Sequence, residues 1–168
     1  MSSALVEGLL VYHGSPHRPD KPAFGSKSNE CIAFSPGNPF YVTATRSFAV
    51  HFARGGTLTT FRMMPSKVLD ATDPQNVDKL LGVFNCDIEY SNSPWNVELW
   101  GEAEDSAYML LESPGVWAYL VAQGVDAVKI LEEVEPYIES FAIINPSVLE
   151  LAHTVDLRRT NIEPDFQP

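Results

Sequence analysis

Cysteine is nearly missing from these 168 residues, with only Cys31 and Cys86 present. Two thiols cannot build a disulfide framework or a four-thiolate metal site, so stability must come from an apolar core. Their expected state is two buried or half-buried thiols in a reducing cytoplasm. Positive charge is scarce as well. Eleven Lys and Arg stand against 22 Asp and Glu, for a net charge of -11. Nucleic-acid binding relies on basic side chains that neutralise phosphates, and the chain has no basic run or Arg-rich helix. A nucleic-acid partner is therefore disfavoured, and a basic protein partner suits the charge better. No apolar run approaches the roughly 20 residues that cross a bilayer. The opening Met1 to Glu7 lacks the basic start and long apolar centre of a signal peptide. The expectation is a cytoplasmic protein with no membrane segment. Internal repeats and low-complexity tracts are absent too, and nothing in the sequence sets an oligomeric state.

What remains is an ordinary globular composition, 45% hydrophobic, in a length that suits one domain. The expected layout is a single domain over residues 1–155 and a polar tail over 156–168. Leu9 to His13 reads as a buried strand, followed by a long loop rich in Pro, Gly, Ser and Asn. Pro39 to Val42 resumes extended structure. Thr45 can cap a helix carrying Phe48, Ala49 and Phe52, which Gly55-Gly56 ends. Thr57 to Met63 and Val68 to Asp70 read as strands. Asp73-Pro74 opens a helix running to about Val83, and Ser113-Pro114 opens another that Gly124 closes. Val125 to Leu131 and Ser140 to Ile144 are strands, and Asn145-Pro146 is a turn. Strands cluster at both ends of the chain, which predicts an α+β domain around mostly antiparallel sheet.

Three segments carry candidate chemistry. The first is Tyr12-His13-Gly14-Ser15, a histidine, a bare backbone and a hydroxyl where a strand gives way to a loop. The second is Phe40-Tyr41-Val42-Thr43, followed by Phe48-Ala49-Val50-His51-Phe52-Ala53. The third is Glu139 to Pro146, preceded by Gln123-Gly124-Val125-Asp126-Ala127-Val128. Read singly, each has a plain structural meaning: His13 satisfies a polar edge, Gly14-Ser15 turns the chain, and Tyr41 is a core tyrosine. A metal reading is disfavoured. His13 and His17 have the spacing of ligands on one helix face, but Gly14, Ser15 and Pro16 between them prevent that helix. Arg18, Lys21 and Arg46 are candidate phosphate contacts or plain exposed charges. Trp95, Trp100 and Trp117 read as core or rim, and residues 85–104 as a partner-selecting loop.

In this order the three segments resemble the ADP-ribosyltransferase superfamily. The resemblance is closer to its His-Tyr-Glu branch, that of diphtheria toxin and the poly-ADP-ribose polymerases, in the form seen in small bacterial and phage relatives. Val68-Leu69-Asp70-Ala71-Thr72-Asp73 also looks like the Leu-Asp-x-Thr stretch found between those blocks. The resemblance implies two mostly antiparallel sheets around an NAD cleft with flanking helices. It implies an NAD-dependent mono-ADP-ribosyltransferase of bacterial or phage effector or toxin type, with NAD as substrate, a protein acceptor and no metal. His13 would hydrogen-bond the adenosine ribose of NAD, Gly14 would pair with the nicotinamide carboxamide, and Ser15 would contact the ribose region. A bare Gly14 would let the ligand amide reach N–H and C=O together. Tyr41 would pack on the nicotinamide. His51 and Phe52 compete for a second contact, with His51 expected in the site and Phe52 in the core.

Glu139 would be the catalytic carboxylate, stabilising the positive charge that develops on the ribose carbon. The family's commonest spacing from Asn145-Pro146 lands on Ser140 instead, so Glu139 needs a bulge to face the cleft. A serine-substituted, inactive module that binds proteins through its acidic surface, and an NAD glycohydrolase, are the alternatives. Glu133-Val134-Glu135 resembles the signature of the arginine-modifying branch. That branch also needs an Arg on the first strand and a Ser-x-Ser strand, so this stretch reads as a solvated acidic loop.

Overall fold

The computed structural model describes residues 8–16, 40–86, 107–133 and 137–159. Seven strands are formed: β1 (Leu9–Ser15), β2 (Phe40–Thr43), β3 (Thr57–Met63), β4 (Val68–Asp70), β5 (Ala127–Glu133), β6 (Ile138–Ile143) and β7 (Leu149–Asp156). The described helices are α1 (Arg46–Ala53), α2 (Pro74–Cys86), α3 (Tyr108–Leu111) and α4 (Pro114–Ala122), and a 3₁₀ turn spans Pro146–Val148. The fold is α+β, and β4–β5 is its one parallel pair among the described strands.

Local chemistry accounts for most boundaries. Ser113 caps α4, its hydroxyl accepting from the Val116 N–H at 3.3 Å, and Pro114 takes the first helical position. Asp73 accepts from the Gln75 N–H at 2.9 Å and starts α2 in the same way. Thr45 holds the cap position of α1 with extended backbone, yet its hydroxyl makes no capping bond. Its own N–H instead donates to Thr43 Oγ1 at 3.1 Å, tying the helix entry to the end of β2. Arg54 (φ 47) and Gly55 (φ 76) turn left-handed to end α1. Strand β7 runs through residues that the sequence left unassigned, and Asp156 closes it rather than opening a tail. Its residues Glu150 to His153 are exposed, so little apolar alternation marks it as an edge strand.

The strands follow the order β4-β5-β6-β2-β1-β3-β7 in one hydrogen-bonded sheet, where two sheets were expected. The two halves, β4-β5-β6-β2 and β1-β3-β7, meet through a single residue pair, Tyr12 with Thr43. The expected pair of sheets is one sheet here, continuous through that bridge.

Opposite faces of the sheet bury different cores. One face carries Val128, Ile130, Ala142 and Ile144, packed against Leu80, Phe84, Leu110, Leu111, Val116, Trp117 and Leu120 of the helices. The other gathers Val11, Phe40, Val42, Phe61, Met63, Phe141 and Ile143 from strands alone, with Val148 and Leu149 beside them. Phe40 and Phe61 meet edge to face at 5.9 Å across the intervening β1. A third small cluster holds α1 on β1 and β3, through Ala49, Ala53, Leu58 and Leu157.

Candidate functional site

The break between the two half-sheets is where His13 and Gly14 stand. Strand polarity explains how. The Leu157 N–H donates to the Gly56 carbonyl at 2.9 Å, so Gly56 and then Leu58 turn their backbone groups toward β7. Thr57 and Thr59 therefore address β1, where they pair with Ser15 and His13. Gly14, opposite Leu58, aims its N–H and C=O away from β3 and toward β2. Yet β2 pairs with β1 only at Tyr12–Thr43, two residues earlier. Among the described residues no strand covers the peptide edge of Gly14.

His13 holds this gap open. Its ring stacks on Phe40 at 4.3 Å, and Nδ1 lies 2.8 Å from the carbonyl oxygen of Tyr41. A carbonyl only accepts, so Nδ1 carries the proton and donates. In the neutral ring Nε2 is then an acceptor that can take a hydroxyl. Burial depresses the pKa of the imidazole below the ordinary histidine value, outweighing the bond to Tyr41, which favours the neutral form. The Tyr41 carbonyl, which a continued ladder would direct to Gly14, is thus taken by a side chain.

Gly14 is required for a second reason that the sequence did not reveal. A β-carbon at this position would collide with the carbonyl oxygen of Ala49 and lie 2.8 Å from the amide nitrogen of Ala53. Helix α1 crosses directly over the strand there, and only glycine admits it. Ser15 ends the strand half-buried, paired with Thr57.

The expected partners of His13 divide between the two faces. Directly paired residues share a face, so Tyr12, Thr43 and Ser140 lie together, with Tyr41 and Ala142 beside them. His13, Phe40, Val42, Phe141 and Glu139 lie on the other. Tyr41 packs half-buried against the helix-covered core, and burial, then the charges of Glu112 and Glu132, hold its hydroxyl well above the usual tyrosine range. Ser140 is 2% exposed on that same side. Glu139 is on the same side of the sheet as His13, about 12 Å away by two strand spacings and two residues of rise. Residue parity thus brings His13 and Glu139 to one face and Tyr41 and Ser140 to the other.

Glu139 is held at three points. Thr43 Oγ1 donates to its carbonyl at 2.8 Å, the Tyr137 hydroxyl donates to Oε1 at 3.0 Å, and Lys129 Nζ lies 3.3 Å from Oε1. Lys129 also pairs with Asp70 at 2.7 Å. Burial works against ionisation of Asp70, but Lys129 and Thr72 prevail and hold its carboxyl below the usual range. Thr43 stood in a candidate segment without a role of its own, and neither Lys129 nor Tyr137 was singled out from sequence. The available signal was Lys129 itself, a charge inside the apolar run Val128 to Leu131.

On α1, Ala49 and Ala53 form the buried stripe, which leaves Phe52 outside it. Phe52 is 52% exposed, its ring edge-on to Phe48 at 4.9 Å and 5.9 Å from His51. The expectation of a core Phe52 is corrected: Phe52 and His51 both face outward. Asp126 and Asn145, from the late motif, serve as a structural knot. The Asp126 carboxylate accepts from Ser66, Lys67 and Asn145 at 2.8 to 3.0 Å, and its carbonyl accepts from the N–H groups of Ile144 and Asn145.

His17, Arg18, Lys21, Cys31, Trp95, Trp100 and Glu135 lie outside the described residues, as does the side chain of Glu133. Among the described residues, no three His, Cys, Asp or Glu side chains gather as a metal site would need, and no helix is long and apolar enough to cross a membrane. Comparison with protein-family models, curated proteins and solved structures finds nothing that matches this chain.

Proposed function

We propose that the chain is an NAD-dependent mono-ADP-ribosyltransferase acting on a protein acceptor. The observation that carries this reading is the peptide edge of Gly14, which no described strand covers, beside a neutral His13 at the break between two half-sheets. A planar carboxamide can donate to one backbone carbonyl and accept from one N–H, as a neighbouring strand would. Nicotinamide has that group. His13 Nε2 then accepts a ribose hydroxyl, and Phe52 offers an exposed ring for stacking. Glu139 stabilises the ribose carbon as its bond to nicotinamide breaks. Nicotinamide leaves with the bonding pair, the acceptor's lone pair attacks the same carbon, and the acceptor proton passes to the carboxylate or to water. The sheet break supports this reading, because the resemblance implies a cleft between two sheets.

A second reading is favoured by one specific observation. Ser140, not Glu139, shares the face of Tyr41, which fits a protein that binds NAD without cleaving it. Thermal shift with NAD, joined to mass-spectrometric detection of nicotinamide, separates the two. We expect NAD to raise the melting temperature and nicotinamide to be released with transfer to protein. Binding without release selects the second reading, release without transfer indicates a glycohydrolase, and no binding rejects all three. His13→Ala should weaken NAD affinity about tenfold, the loss of one good hydrogen bond. Glu139→Gln should keep affinity and abolish nicotinamide release.

A further inference from the structure

We propose that Lys129 is a positioning residue that fixes the Glu139 carboxylate by one oxygen and leaves the other for a ligand hydroxyl. The inference rests on the reading of this cleft as an NAD site. Sheet register builds the device. Lys129 stands directly opposite Asp70 in the parallel β4–β5 pair, and diagonally across β5–β6 from Glu139. Its ammonium touches both carboxylates, at 2.7 and 3.3 Å. Asp70 is anchored in turn, accepting on Oδ1 from the Thr72 N–H at 2.9 Å and hydroxyl at 2.6 Å.

Charge and geometry agree on the role. Two carboxylates against one ammonium leave one negative charge, so Lys129 orients Glu139 without cancelling it. Both contacts to Glu139, from Lys129 and from the Tyr137 hydroxyl, fall on Oε1. Among the described residues Oε2 receives none. A carboxylate held this way cannot rotate to present Oε1, and Oε2 becomes its one working atom. Catalysis depends on such fixed orientation of charge.

The test compares wild type with Lys129→Met, Lys129→Arg and Tyr137→Phe, using NAD itself as the probe. In Lys129→Met we expect kcat for nicotinamide release to fall at least tenfold while Kd for NAD stays within twofold. Lys129→Arg should recover kcat to within about threefold, since a guanidinium can span the same two carboxylates. Tyr137→Phe should lower kcat less than Lys129→Met. A readout without turnover is the side-chain carboxyl ¹³C resonance of Glu139, assigned by its loss in Glu139→Gln. It should move on NAD addition in wild type and Lys129→Arg, and stay still in Lys129→Met. Unchanged kcat and an unchanged resonance response in Lys129→Met overturn the proposal. So does a joint loss of melting temperature, affinity and kcat that arginine does not rescue, because that marks a purely structural pair. If NAD does not bind wild type at all, the NAD reading fails and the proposal falls with it. Binding with a Glu139 resonance that never responds rejects the positioning role alone.

Discussion

Gly14 carries two demands at one position. Its backbone edge opens into the sheet break, while its α-carbon touches the backbone of α1 at Ala49 and Ala53. Any side chain must push the helix off the strand, whatever happens to a ligand. Gly14→Ala should therefore destabilise the protein by about 1–3 kcal/mol, the usual cost of overpacking, visible as a lowered urea midpoint without NAD present. Unchanged stability would mean that α1 does not cross here. The neighbouring His13 shows the limits of residue type as a guide. A histidine before Gly-Ser could be predicted to meet a polar edge, and it does, through the Tyr41 carbonyl. That this bond takes the place of a ladder bond, and so keeps two strands apart, depends on a residue 28 positions away.

Helix α1 shows how an element divides its residues between support and presentation. Small Ala49 and Ala53 permit close approach to β1, and the larger rings at positions 48 and 52 are turned elsewhere. Phe52 contributes little to the core, so Phe52→Ala should change stability by no more than about 0.5 kcal/mol. If it stacks on nicotinamide, the same change should weaken NAD binding about tenfold by calorimetry, in line with the worth of an aromatic pair. A large loss of stability with normal affinity would return Phe52 to a packing role. At this scale much was legible. Strands β3 and β4 fall on their expected residues, and the Asp73-Pro74 and Ser113-Pro114 signals open α2 and α4 as cap chemistry requires. Strand β7 escaped because an edge strand with an exposed centre has no alternation to read.

Across the whole molecule, acid sensitivity follows from groups whose folded pKa lies below the unfolded one. Burial disfavours ionisation of Asp126, but bonds from Asn145, Ser66 and Lys67 outweigh it and lower its pKa; Asp70 behaves likewise beside Lys129. His13 is lowered by burial itself. In each case the unfolded chain takes up the proton first, so stability rises with pH across that window. The His13 contribution is complete above the ordinary histidine range and declines as pH falls below it. The aspartate contributions are complete above the ordinary carboxylate range and are lost as pH falls through the lowered folded values. Melting temperature should thus drop in two stages on acidification. Asp126→Asn should lower the melting temperature at pH 7 and shrink the lower stage. An unchanged acid limb in that variant would show that the Asp126 knot does not report on folding.

The amino-acid sequence by itself determined the α+β class, most helix starts and the strand runs around each motif. Those features depend on neighbours within a few residues: caps, turns and alternation act locally. Which residues share a face could only come from the assembled sheet. Side chains alternate along every strand, so one step of register moves a residue from one core to the other. Register between β2 and β6 is set by contacts nearly 100 residues apart, such as Thr43 with Glu139. That long-range pairing put Glu139 with His13, and Ser140 with Tyr41, which no local pattern encodes; Lys129 meets Glu139 through the nearer β5–β6 pair.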